Sequence, residues 1–157
     1  MGKVSINDLT QARFLLEPEV FRLAVGNASE AQMAEMAAVV REAKKLKDLK
    51  KQNGLHSDFH RSVAMASGSP ICLRFMQIIF DFMEAFAMTI QPANFRVHDD
   101  RDHSEILEAL SHRDGDRAAR LAKAHAEKVT REMIKLERQW RKALEDLNGP
   151  TRRSWMK

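Results

Sequence analysis

The chain has 157 residues, 44% of them apolar and 31% charged, with a net charge of +4. That is the length of one domain with enough apolar content for a core, which excludes a disordered chain; the single cysteine, Cys72, excludes an internal disulfide and fits a reducing, cytoplasmic setting. The charge excess is mild and gathers in Lys44, Lys45, Lys47, Lys50 and Lys51 and in Arg152, Arg153 and Lys157, with no aromatic residues among the lysines, so it reads as solvated helix surface rather than a nucleic-acid interface.

Tyrosine is absent and β-branched residues rarely cluster, while Ala, Leu, Met, Glu, Lys and Arg abound; the composition predicts an all-α chain. Breakers divide it into about six helices. The first covers residues 7–24, with Leu9, Phe14, Leu15 and Leu16 leading its apolar face, a kink at Pro18 and an end at Gly26-Asn27. Ser29 with Gln32 forms a capping box for the second, which buries Met33, Met36, Val40 and Leu46 and runs to Gln52, where Asn53-Gly54 stops it. A short third helix covers residues 55–67 and ends at Gly68.

Pro70 suits the first position of a fourth helix, which runs to Pro92 and is apolar on nearly every side. Such a helix is wrapped by others or lies in a subunit interface, and Trp140 and Leu144 extend an apolar stripe of their own, so a homodimer is expected. Arg74, Asp81 and Glu84 within the same stretch oppose a membrane span. A loop over residues 93–101, a fifth helix over 102–112, a turn at Asp114-Gly115-Asp116 and a last helix over 117–147 complete the chain, closed by Gly149-Pro150. The expected organisation is a linker at 1–6, one helical domain at 7–149 and a flexible tail at 150–157.

The histidines carry the functional signal. His56 and His60 are four apart, which stacks two rings on one helix face as chelation of one ion requires. His103 leads Ile106, Leu107 and Leu110 at helical spacing, and His125 sits among Ala118, Leu121, Val129 and Met133 in the same way, so both point inward. His98 falls in the loop and His112 at an exposed helix end. One inward histidine is ordinarily a hydrogen-bonded core residue; four in one small core need several partners, and a metal satisfies them together.

At these residues the chain resembles a known family. Leu55-His56-Ser57-Asp58-Phe59-His60 resembles the Asp-x-x-x-His motif of the FCD domain, the C-terminal effector-binding domain of the FadR branch of GntR-type transcription regulators. The run from His103 through Ile106, Leu107, Ala109, Leu110, Asp114, Ala118 and Ala119 to His125 resembles that family's second signature, and Arg13, Leu16-Glu17 and Arg22-Leu23-Ala24 resemble its start. The resemblance spans residues 8–130. It implies an antiparallel helical bundle with a central metal and effector cavity. It also implies a divalent transition metal on His60, His103 and His125, with His56 at the remaining ligand position. Zinc is the first expectation, with nickel, cobalt or copper as the other candidates, since imidazole suits these better than Mg, Mn or Ca.

The sequence departs from the family at His56, where Asp or Asn is usual, at Ser69, where Asn is usual, and at Gln11, where an acidic residue often stands. The resemblance further implies a small organic acid as effector, with Arg13 at the position of an inward-pointing arginine. The winged helix-turn-helix that normally precedes this domain is not in the chain, so DNA contact is expected only through such a domain elsewhere. Two other functions compete. A di-iron enzyme needs Glu-x-x-His pairs, and no histidine has Glu three residues before it; His103 has only Asp100. A purely structural dimerisation module would need only a satisfied polar core.

Overall fold

The computed structural model describes residues 4–90 and 100–147, and among these every regular element is a helix. The order is α1 (Ile6–Asn27), α2 (Glu30–Lys45), α3 (Leu49–Ala66), α4 (Pro70–Ile90), α5 (Asp100–Ser111) and α6 (Gly115–Leu147). The all-helical bundle expected from composition is therefore the fold. Helix α1 lies along α6 and also meets α3 and α4, while α2 packs on α3 and α5. A main core from α1 to α6 includes Phe21, Met36, Phe59, Met76, Ile106 and Leu110, and a smaller cluster at the far end gathers Ile6, Ile90, Val129, Met133 and Leu136.

The N-termini are set locally. Ser5 and Asp8 form a reciprocal box on α1 (3.2 and 2.9 Å), and the predicted Ser29–Gln32 box opens α2 (3.2 and 3.0 Å). Helix α1 continues through Pro18 to Asn27. Its buried face is not quite the expected one: Leu9 is buried, but Leu15 is 78% exposed, and Arg13 and Glu17 take the inward stripe with Val20, Phe21 and Ala24. Two charged residues on a core stripe mislead a pattern that counts apolar residues.

The boundary between α2 and α3 is also corrected. Helix α2 ends at Lys45, not Gln52, and Leu46 is half-buried. Asp48 starts α3 by accepting from the Lys50 and Lys51 amides (3.0 and 3.2 Å), and the buried Gln52 donates Nε2 to the Ala43 carbonyl at 3.0 Å, closing the end of α2. Asn53-Gly54 lies inside α3. A glycine within a helix costs about 1 kcal/mol relative to alanine, which the packing of α3 on α2 and α4 outweighs. His56 and His60 consequently sit in mid-helix, where the backbone is held on both sides.

Gly68, at φ 73°, ends α3 as expected, in the left-handed region where a side chain would be strained. The expectations for Pro92, for the loop carrying His98 and for Gly149-Pro150 and the tail fall outside the described residues.

Candidate metal centre

Four helices converge on one point. Helix α1 brings Arg13 and Glu17, α3 brings His56 and His60, α5 brings His103 and α6 brings His125, and every one of these side chains is buried to within 2% of full. The ligand nitrogens of His60, His103 and His125 all lie within 4.8 Å of one another. His60 Nε2 and His103 Nε2 are 3.1 Å apart. Two nitrogens on one tetrahedral ion at the usual zinc–imidazole bond length stand about 3.3 Å apart, so this pair is close to ligand spacing already. His56 stands beside His103, ring centroids 4.3 Å apart, outside that group of three. His112 is exposed, its Nδ1 2.8 Å from the Glu108 carbonyl.

Aromatic packing fixes the rings. His60 stacks between Phe80 (4.8 Å) and His125 (5.3 Å), and His103 meets Phe59 edge-on at 5.2 Å. The void beside His56 and His103 is about 10 Å³, room for roughly one water. A larger depression of about 200 Å³ reaches His125 from the surface and is lined by Asp102, Glu105, Leu121, Ala124, Lys128 and Arg131.

Carboxylates back two of the imidazoles. Glu17 Oε1 lies 2.5 Å from His60 Nδ1, a close contact bent away from the ideal N–H line, while Glu17 Oε2 accepts from Arg13 Nε at 2.9 Å and pairs with Nη2 at 2.8 Å. Asp102 Oδ2 lies 3.3 Å from His125 Nδ1 and 3.0 Å from Lys128 Nζ. Burial raises the Glu17 carboxyl, but the Arg13 charge and then His60 pull it further the other way, to about 2. The hydrogen bond from His125, outweighing partial burial, holds Asp102 below the usual carboxylate range. Burial lowers His60 despite Glu17, and lowers His125 to about 4 despite Asp102. Near neutral pH both rings are uncharged, the state in which imidazole ligates.

Residues 8–128 match the FCD domain. The chain belongs to the FCD domain family. Three solved structures share the fold of this FCD domain: a GntR protein of Streptococcus agalactiae (TM-score 0.68, 20% identity, 80% of this chain and 58% of that one), a GntR-family transcriptional regulator from Pseudomonas syringae pv. tomato str. DC3000 (0.74, 17%, 91% and 62%), and E. coli McbR/YncC (0.67, 19%, 88% and 67%). The chain thus spans about three fifths to two thirds of the length of these regulators. No curated protein matches it at a significant level.

Within the FCD domain, the histidines expected to face inward do so. Arg13 is also inward, fully buried, with Nη1 3.6 Å from Met83 Sδ and its guanidinium 5.0 Å from the Phe80 ring centre. Its fork is already engaged by Glu17. Sequence reasoning placed neither Glu17 nor Asp102 in the site. The signal for Glu17 was its i,i+4 spacing from Arg13 on an otherwise apolar stripe; for Asp102 it was adjacency to His103 alone, since its partner His125 is on another helix.

Proposed function

We propose that this FCD domain is the sensing unit of a GntR-type regulator, in which a divalent transition metal, zinc first, sits on His60, His103 and His125 with His56 as the fourth ligand and receives a small carboxylate. The observation that carries the reading is the convergence of three buried imidazoles from three helices at ligand spacing, two of them, His60 and His125, held uncharged near neutral pH by burial. The metal supplies a Lewis-acidic coordination position for the acid's oxygen. No anionic ligand lies among the four histidines, and Glu17 and Asp102 are each paired with a cation, so the ion keeps its +2 charge toward an incoming anion.

The same pairing favours a regulatory over a catalytic role, because neither carboxylate stands uncommitted as a general base. Arg13 is the proposed second anchor for the acid, through a guanidinium that can bind a carboxylate at two points once Glu17 shares it. Acid binding would alter dimer geometry and, through a winged helix-turn-helix domain, DNA affinity. Among the described residues no helix is long and apolar enough to cross a membrane.

Untagged protein should contain one zinc-class ion per chain by elemental analysis, and His60→Ala and His125→Ala should each remove most of it. A screen of mono- and dicarboxylates should raise the melting temperature of the metal-loaded protein and lose most of that effect after chelation. Full metal content in both variants, or equal stabilisation of demetallated protein by the same acid, would sink the reading.

The homodimer is supported by α4. Ile71, Phe75, Ile78 and Phe82 form a stripe at spacings of four, three and four, each 43–65% exposed, and Phe82 shares a surface groove with Trp140. Light scattering at micromolar concentration should give twice the mass of the 18.0 kDa chain, and Phe75→Glu should halve it. A monomeric wild type would reject the dimer.

A further inference from the structure

Two of the three clustered histidines are backed in the same way from opposite sides of the site. On one side Arg13 grips Glu17, and Glu17 meets His60 at Nδ1; on the other Lys128 grips Asp102, and Asp102 meets His125 at Nδ1. The two chains share no helix pair: the first joins α1 to α3, the second α5 to α6. In each, the carboxylate is charge-compensated by a cation and spends its remaining capacity on an imidazole.

We infer that Glu17 and Asp102 are positioning residues for the histidine site, holding His60 and His125 as Nδ1–H tautomers so that each turns an Nε2 lone pair toward the common centre. The inference rests on the proposed metal reading for its use, but its structural content is independent of it. A neutral imidazole has one donor and one acceptor nitrogen, and the nitrogen next to a carboxylate must be the donor. Nδ1–H on His60 makes its Nε2 an acceptor. The 3.1 Å contact between His60 Nε2 and His103 Nε2 is then attractive only if His103 holds its proton at Nε2. For both rings to offer Nε2 lone pairs to one ion, His103 would carry its proton on Nδ1 instead. The carboxylates meanwhile fix the orientation of the other two rings and raise their basicity as ligands.

The compensating cations explain why two carboxylates so close to the ligands do not discharge the site. Arg13 and Lys128 keep each relay neutral as a whole, so orientation is supplied without adding net negative charge. The Asp102 relay faces the open 200 Å³ depression, whereas the Glu17 relay is fully buried. Asp102 is therefore the residue whose replacement perturbs the least structure.

The test is side-chain ¹⁵N NMR of the metal-free protein together with metal affinity by chelator competition, in wild type, Asp102→Asn and Glu17→Gln. The wild type should show His60 and His125 as Nδ1–H tautomers. Asp102→Asn should shift the His125 nitrogens toward a mixed tautomer while leaving those of His60, and should weaken zinc binding about 10–100-fold. Glu17→Gln should do the converse; if that variant fails to fold because Arg13 is left without its anion, Asp102→Asn decides alone. Nε2–H tautomers in the wild type, or an Asp102→Asn protein with unchanged His125 nitrogens and zinc affinity within twofold of wild type, would overturn the inference. Should the wild type bind no zinc, the metal reading fails, and the tautomers of the metal-free protein still decide this one.

Discussion

Replacing Arg13 with alanine should lower the stability of the domain by about 3–5 kcal/mol, the usual consequence of removing one partner of a buried ion pair. Arg13 and Glu17 are both 0% exposed, and the guanidinium makes two contacts below 3 Å with one carboxylate oxygen. Its loss leaves Glu17 charged in the core with only neutral His60 beside it, and removes a cation over the Phe80 ring. For a chain of this length the melting temperature should drop by roughly 10 °C or more. Glu17→Ala should be damaging for the mirror-image reason.

The double variant Arg13→Met, Glu17→Leu should regain most of the loss, because apolar residues of similar volume need no charge partner. Strictly additive losses in the double variant, or an Arg13→Ala protein that melts within about 2 °C of wild type, would show that the pair is not what holds this part of the core. The result also bears on Arg13 as an anchor for the acid. Alanine there confounds affinity with folding, so effector binding is better compared in an Arg13→Lys protein, which keeps the charge and loses the planar fork.

The metal-free domain should lose stability steeply as pH falls from about 6.5 to 4. His125 is held at about 4 in the folded protein, burial outweighing the pull of Asp102, against 6.5 as its ordinary value. Between those values the unfolded chain takes up a proton that the folded chain refuses, so stability declines through the window, by about 3 kcal/mol for this residue. His60, lowered mainly by burial, adds loss of the same sign. Glu17 continues the trend further down: its carboxyl lies at about 2 in the fold and 4.5 outside it, so the stability it confers is whole above 4.5 and disappears as pH drops toward 2.

Bound metal should deepen the dependence, since a protonated imidazole cannot ligate and the ion's own stabilisation goes with it. Thermal melts in chelator from pH 7.5 to 4 would measure the apo effect, and a His125→Gln protein should show a shallower decline. A melting temperature that is flat between pH 7 and 5 in chelator would contradict the burial of neutral histidines.

How much of this was legible in the chain divides along a physical line. Properties carried by one helix's own periodicity could be read directly. The all-helical class, the Ser29–Gln32 box, the stop at Gly68 and the inward direction of His103 and His125 all follow from spacing and capping chemistry within a single segment. The order of the histidine motifs carried the family, because a bundle with fixed helix order presents its site residues at fixed intervals.

What the sequence could not decide depends on contacts between segments. The break after Lys45 is set by Asp48 capping α3 and Gln52 reaching back to Ala43, and these override the local signal of Asn53-Gly54. Glu17 reads as a surface charge, and Arg13 as inward only through the family resemblance, until α1 is laid against α3, α4 and α6, where each becomes the other's solvent. Asp102 acquires its role only when α5 brings it to His125 and Lys128 on α6. Spacing along one helix shows which way a side chain points; whether it meets a charge, a ring or water at the end of that vector is fixed by the neighbouring helices, and tertiary packing alone supplies them.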